Sequence, residues 1–140
     1  MEDQFSFKTG YSNVAFLPGL EASRLFRAST SPATQIWDPP TFGDNTQLYL
    51  NPNGTSINGD IVTLDGLPEK SVLDEVYGVN VYKNFINFMK TDVVGAGMIN
   101  EWEALPYDWR LDFPELLRSG NKTGEHISYL QSTSSPFLIQ

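Results

Sequence analysis

Four apolar residues, Val14-Ala15-Phe16-Leu17, are halted by Pro18-Gly19, a pattern that predicts a buried strand delivering the chain into a turn. From Ala28 to Gly66 the chain turns to Ser, Thr, Pro, Asn, Asp and Gly, with Ile36-Trp37, Leu48-Tyr49-Leu50 and Ile61-Val62 as its apolar anchors. That stretch reads as a long irregular insertion carrying short strands or turns, as at Pro52-Asn53-Gly54 and Asn58-Gly59-Asp60. A helical period follows over Val81 to Lys90, where Val81, Phe85, Phe88 and Met89 form one apolar stripe opposite Lys83, Asn84, Asn87 and Lys90. Gly95-Ala96-Gly97 breaks the period, and Trp102-Glu103-Ala104-Leu105 predicts a second core strand running into Pro106-Tyr107-Asp108. Asp112 stands three residues before Glu115, the spacing of a capping box, so a short helix is expected from there to about Gly120. A further helix start is expected at Ser134-Ser135-Pro136, with only Phe137 to Gln140 behind it, as though the chain were cut inside an element.

Helix, glycine-containing turn and strand in this order are the ingredients of a crossover, and the fold class they predict is α/β. Composition supports a packed domain, since 40% of residues are hydrophobic and 13% aromatic, while eleven Gly and nine Pro weigh against a helical bundle. Nine basic against seventeen acidic residues leave a net charge of −8, which repels phosphate backbones and anionic membranes and makes nucleic acid an unsuitable partner. No apolar run reaches the roughly 20 residues of a membrane-spanning helix. Cysteine is absent, which removes disulfides, thiolate nucleophiles and Cys-ligated zinc without fixing a compartment.

Two segments carry a resemblance: Phe16-Leu17-Pro18-Gly19-Leu20-Glu21-Ala22-Ser23-Arg24-Leu25 and Ala104-Leu105-Pro106-Tyr107-Asp108-Trp109-Arg110. Together they resemble the lecithin:cholesterol acyltransferase-like branch of the α/β-hydrolases, in which an apolar strand enters a P-G-L turn and a later strand ends in P-Y-D-W-R. The resemblance implies a Ser-His-Asp esterase, lipase or acyltransferase that forms an acyl-enzyme on lipid or small ester substrates, with no cofactor. It assigns an oxyanion donor to the backbone N–H of Leu20, in a turn made by Pro18 and Gly19. It assigns structural roles to Tyr107, Asp108, Trp109 and Arg110: Asp108 and Arg110 as a charge-assisted pair, Trp109 as filling beneath the site.

No G-x-S-x-G occurs in the 140 residues. The resemblance therefore implies that residues 1–140 are the N-terminal part of an α/β-hydrolase sheet, ending before the nucleophile elbow, inactive alone, with the C-terminal half of the same protein as partner. No catalytic residue of the triad is expected here, and His126, the single histidine, is read as having no acid–base role. A metal site is not expected with one His and no Cys. Gly120-Asn121-Lys122-Thr123-Gly124 lacks the spacing of a phosphate loop, and the Asn53 and Asn121 sequons read as chance matches. Two other classes stay open. One is a stand-alone binding domain using Trp37, Tyr49 or Trp109 as exposed contacts; the other is a glycosidase using Glu101 and Glu103, which share one face of a strand.

Overall fold

The computed structural model describes residues 10–38, 45–64 and 68–118. Helices and strands are mixed, with one small parallel sheet and two small antiparallel ones. Strand β1 (Asn13–Phe16) is followed by β2 (Leu25–Arg27) and β3 (Thr34–Trp37), a 3-10 turn over Asn45–Leu48, and β4 (Ile61–Val62). Helix α1 (Pro68–Ser71) leads to the hairpin of β5 (Glu75–Val76) and β6 (Val79–Asn80), and helix α2 (Lys83–Phe88) runs on as a π-helical segment over Met89–Val94. Strand β7 (Glu101–Ala104) and helix α3 (Phe113–Arg118) complete the described elements.

β1 and β7 pair in parallel, with Asn13 opposite Glu101 and Phe16 opposite Ala104. Parallel neighbours need a crossover, and α2 lies on it, as the order of elements predicts. Ile86 of α2 joins Val72 and Ala104 in a buried cluster, against which Phe16, Tyr82 and Trp102 pack. Phe16 sits at the centre of the aromatic contacts, 5.1 Å from the Tyr82 ring, 5.0 Å from Phe85 and 6.3 Å from Trp102. β1 is less enclosed than its apolar run predicts, since Ala15 and Leu17 are exposed and Val14 and Phe16 are half-buried.

The helix keeps part of its expected face: Met89 is buried and Phe85, 38% exposed, packs on Phe16 and Trp102, whereas Val81 and Phe88 are exposed and Ile86, outside the expected stripe, is buried. Tyr82, Ile86 and Met89 have the same i, i+4, i+7 spacing as Val81, Phe85 and Phe88, so two apolar stripes one residue apart, with Met89 on the boundary between them, satisfy the helical period equally well. Packing on Val72 and Ala104 selects between them. The helix also does not stop at Lys90: the Gly95 N–H donates to the Lys90 carbonyl at 3.1 Å and Met98 N–H to Val93 at 3.0 Å, both five residues back. A Cβ on Gly95 would lie 2.2 Å from the Thr91 carbonyl oxygen, so only glycine ends the π segment this way. The chain then leaves through Gly97 at φ +69°.

The insertion is more ordered than its composition suggests. β3, β2 and β4 form an antiparallel sheet in that order, with a bulge between Leu25 and Phe26. Ile36-Trp37 and Ile61-Val62 are strand residues, as expected of apolar anchors. Its polar edge is closed by Arg27, which reaches Asp60 through Nε at 3.0 Å and Gln47 through Nη1 at 3.1 Å. The Asp112 carboxylate accepts the Glu115 N–H at 2.8 Å and caps α3 as its spacing predicts. The expected helix at Ser134–Gln140, the Gly120–Gly124 loop and His126 lie outside the described residues.

Two measurements test this packing. Ile86→Ala is expected to cost about 2–5 kcal/mol in a denaturant titration and Phe88→Ala less than half as much; the reverse order would return the core to the Phe85–Phe88 stripe. The Ser29 hydroxyl, then Arg27, hold the Asp60 carboxyl below its ordinary value of 3.8. Because the folded value is the lower one, the stabilisation is complete above pH 3.8 and is lost as pH falls through the folded value. Trp37 fluorescence followed against pH should show an acid transition in the parent that Asp60→Asn shifts or abolishes.

Candidate functional site

The two segments singled out by sequence meet at the carboxyl ends of β1 and β7. Parallel pairing at Phe16 and Ala104 brings both strand ends to one side, and the Leu105 N–H extends the pairing by donating to the Phe16 carbonyl at 2.8 Å. Beyond this point both chains turn, and a fully buried serine joins them. Ser23 Oγ accepts the Tyr107 N–H at 3.1 Å, and the Ser23 carbonyl accepts Trp109 Nε1 at 3.1 Å. Ser23 is also bridged to Val72, and the neighbouring Arg24 places its guanidinium on the carbonyls of Val72 (2.7 Å) and Glu75 (3.0 Å) and on the Asp74 carboxylate (2.9 Å).

Between β1 and Ser23 lies the Pro18–Ala22 turn. Pro18 is buried, and the Ala22 N–H donates to the Gly19 carbonyl at 3.1 Å, closing a β-turn whose third residue, Glu21, has φ +62°. A trans peptide sets its C=O and N–H in opposite directions. With the Gly19 carbonyl held inward by Ala22, the Leu20 N–H on the same peptide plane is turned outward. Leu20 is 74% exposed, and its N–H has no acceptor among the described residues. The Leu20 N–H is thus a free backbone donor on a closed turn.

The second segment forms the floor. Asp108 and Arg110 have side chains only 3% exposed and pair in a fork, Nε to Oδ1 at 2.8 Å and Nη2 to Oδ2 at 2.5 Å. Arg110 Nη1 reaches on to the Leu48 carbonyl at 3.2 Å and ties the insertion to the motif. Trp109 packs edge-on against Trp37, with centroids 5.2 Å apart, and Trp37 Nε1 donates to the Glu21 carbonyl at 2.8 Å. Both indoles are therefore engaged internally, and of the aromatic contacts expected for a binding domain only Tyr49 is exposed.

Ser23 has no free hydroxyl surface and cannot be reached by a substrate. Glu101 and Glu103 share a face of β7, each half-buried. Among the described residues no group of three or more His, Cys, Asp and Glu is gathered that can hold a metal, and no helix is long and apolar enough to cross a membrane. Sequence reasoning missed Ser23 as the joint and Tyr82 as a neighbour of the turn. The one available signal was a small polar residue set between the motif's apolar positions Ala22 and Leu25.

A buried ion pair that loses one member leaves an uncompensated charge, so Arg110→Ala is expected to destabilise by about 3–5 kcal/mol. Arg110→Lys should recover little, because an ammonium cannot serve both Asp108 oxygens and the Leu48 carbonyl. Denaturant titrations of the two variants check this, and full recovery by Lys would reduce the fork to a simple charge contact.

No family model, no curated protein and no solved structure matches the chain, so the geometry of these two motifs carries the functional reading.

Proposed function

We infer that these residues belong to a serine-dependent hydrolase or acyltransferase of the lecithin:cholesterol acyltransferase-like α/β-hydrolase group, acting on lipid or small ester substrates. In this reading residues 1–140 supply the N-terminal part of the sheet and one wall of the site, and the nucleophile, acid and histidine are carried outside them. The observation that supports it is the meeting of the two motifs at one pair of parallel strand ends, with the Leu20 N–H facing outward. Ligand sites of α/β sheets form at the carboxyl ends of parallel strands, where loops converge. Two parallel strands with one helix on them also suit a larger sheet, because parallel sheets are normally covered on both faces.

The division of labour follows from the chemistry. Attack of a serine on an ester carbonyl places negative charge on the carbonyl oxygen, and a fixed N–H aimed at that position lowers the barrier without reorganising. Leu20 would supply one such donor. Asp108, Arg110 and Trp109 hold the floor on which the turn rests and touch no substrate. A donor alone cannot open the acyl-transfer path, because nucleophile and base are both needed.

Residues 1–140 alone are expected to give no turnover of activated short-chain esters above buffer. The decisive test is the coding sequence on the far side of codon 140: a G-x-S-x-G there supports the reading, and its absence from the whole open reading frame overturns it. In the polypeptide that carries the serine, Leu20→Ala should keep most activity, whereas Leu20→Pro removes the donor and should lower kcat by roughly a hundredfold. Binding of a non-hydrolysable ester analogue must survive in the Pro variant. Full kcat with Pro at position 20 would reduce Pro18-Gly19-Leu20 to an ordinary turn.

A further inference from the structure

We propose that Tyr82, at the start of α2, is a positioning residue for the Leu20 amide, acting by locking the peptide plane before it; its catalytic sense rests on the hydrolase reading above. The Pro18–Ala22 turn contains two peptide planes that decide where the Leu20 N–H points. The Gly19–Leu20 plane is held by the Ala22 N–H on the Gly19 carbonyl at 3.1 Å. The Pro18–Gly19 plane is held from outside the turn, by the Tyr82 hydroxyl, which accepts the Gly19 N–H at 3.4 Å across 63 residues of sequence. A donor that must meet a developing charge gains from having neither plane free to rotate.

The lock is itself anchored. The N–H groups of Val81, Tyr82 and Lys83 converge on the Asp74 carbonyl at 2.9, 3.0 and 3.1 Å, and the Asp74 carboxylate pairs with Arg24, next to the Ser23 joint. The Tyr82 ring lies edge-on to Phe16, 5.1 Å away, at the end of β1. The phenol thus reports the position of both the strand end and the helix start to the turn. Glycine at position 19 suits this approach: a Cβ there would lie 3.3 Å from the Tyr82 hydroxyl oxygen, so the phenol would have to give by a few tenths of an ångström, and the Gly19 φ lies outside the left-handed range.

Tyr82→Phe removes the hydroxyl and keeps the ring. In the 140-residue chain, Gly19 amide hydrogen exchange should accelerate by about two- to tenfold in this variant, while the Ile86 amide, bonded to the Tyr82 carbonyl at 2.8 Å, keeps its rate. An unchanged Gly19 rate, or a Gly19 amide that already exchanges like unstructured peptide in the parent, overturns the lock. Gly19→Ala should disturb the turn less when combined with Tyr82→Phe than alone, because the clashing oxygen is gone; equal effects in both backgrounds also overturn it. In the polypeptide carrying the serine, Tyr82→Phe should lower kcat about tenfold with KM held. A fall in stability with kcat unchanged would leave Tyr82 a packing residue only. Absence of ester turnover in the parent would sink the hydrolase reading while the Gly19 exchange result stands by itself.

Discussion

The geometry around the two strand ends depends on Ser23. Its hydroxyl and its carbonyl each accept one hydrogen bond from the second motif, and its backbone pairs with Val72 on the other side. Those two bonds tie residues 18–24 to 106–110 just beyond the point where the parallel strands end together. Serine suits this position because it is small enough to be fully enclosed and still offers an acceptor at its tip. Enclosure removes water as an alternative partner, so each bond lost there leaves a polar group unsatisfied. The consequence reaches the turn, since Ala22 and Glu21 immediately precede Ser23 and hold the Leu20 peptide plane and the Trp37 indole.

The buried Asp108–Arg110 fork plays a different part. Taking two charges out of water costs free energy that their attraction returns only when the remaining hydrogen-bonding capacity is also used. Here it is: Asp108 also accepts the Arg110 N–H, and Arg110 donates to the Leu48 carbonyl. The pair therefore adds specificity of place more than net stability, fixing where the insertion lies against the motif. With Trp37 edge-on to Trp109, the insertion is tied to the second strand end, and the sheet that its strands form with β2 encloses Leu25, Phe26 and Ile61.

How far the molecule can be read from its sequence differs from element to element. β1, β7 and the crossover between them were legible because short apolar runs stopped by Pro and Gly leave few alternatives. The cap at Asp112 was legible because it is local, closed within three residues. The face of α2 was legible only in part: Met89 is buried and Phe85 meets Phe16 as expected, but Ile86 was missed because Tyr82, Ile86 and Met89 repeat the spacing of Val81, Phe85 and Phe88. The π segment was not, since Gly95 reads equally as a helix stop until its neighbour Thr91 is seen against it. The pairing of the insertion's β3 and β4 on β2, which precedes it, was hidden by composition, because these strands are two to four residues long and gain their pairing from one another.

What the sequence determined by itself is the local grammar: where strands end, where a turn forms after β1, where a helix is capped, and that a charge of −8 repels polyanions. Those follow from backbone sterics, short-range hydrogen bonds and net charge, which need no knowledge of distant residues. Only tertiary structure decided that Ser23 joins the motifs across 84 residues, that Ile86 faces the core, and that the Tyr82 hydroxyl rests on Gly19. Each of these is a contact between segments remote in sequence, and a side chain's pattern along the chain records that it can be buried, not which partner will bury it.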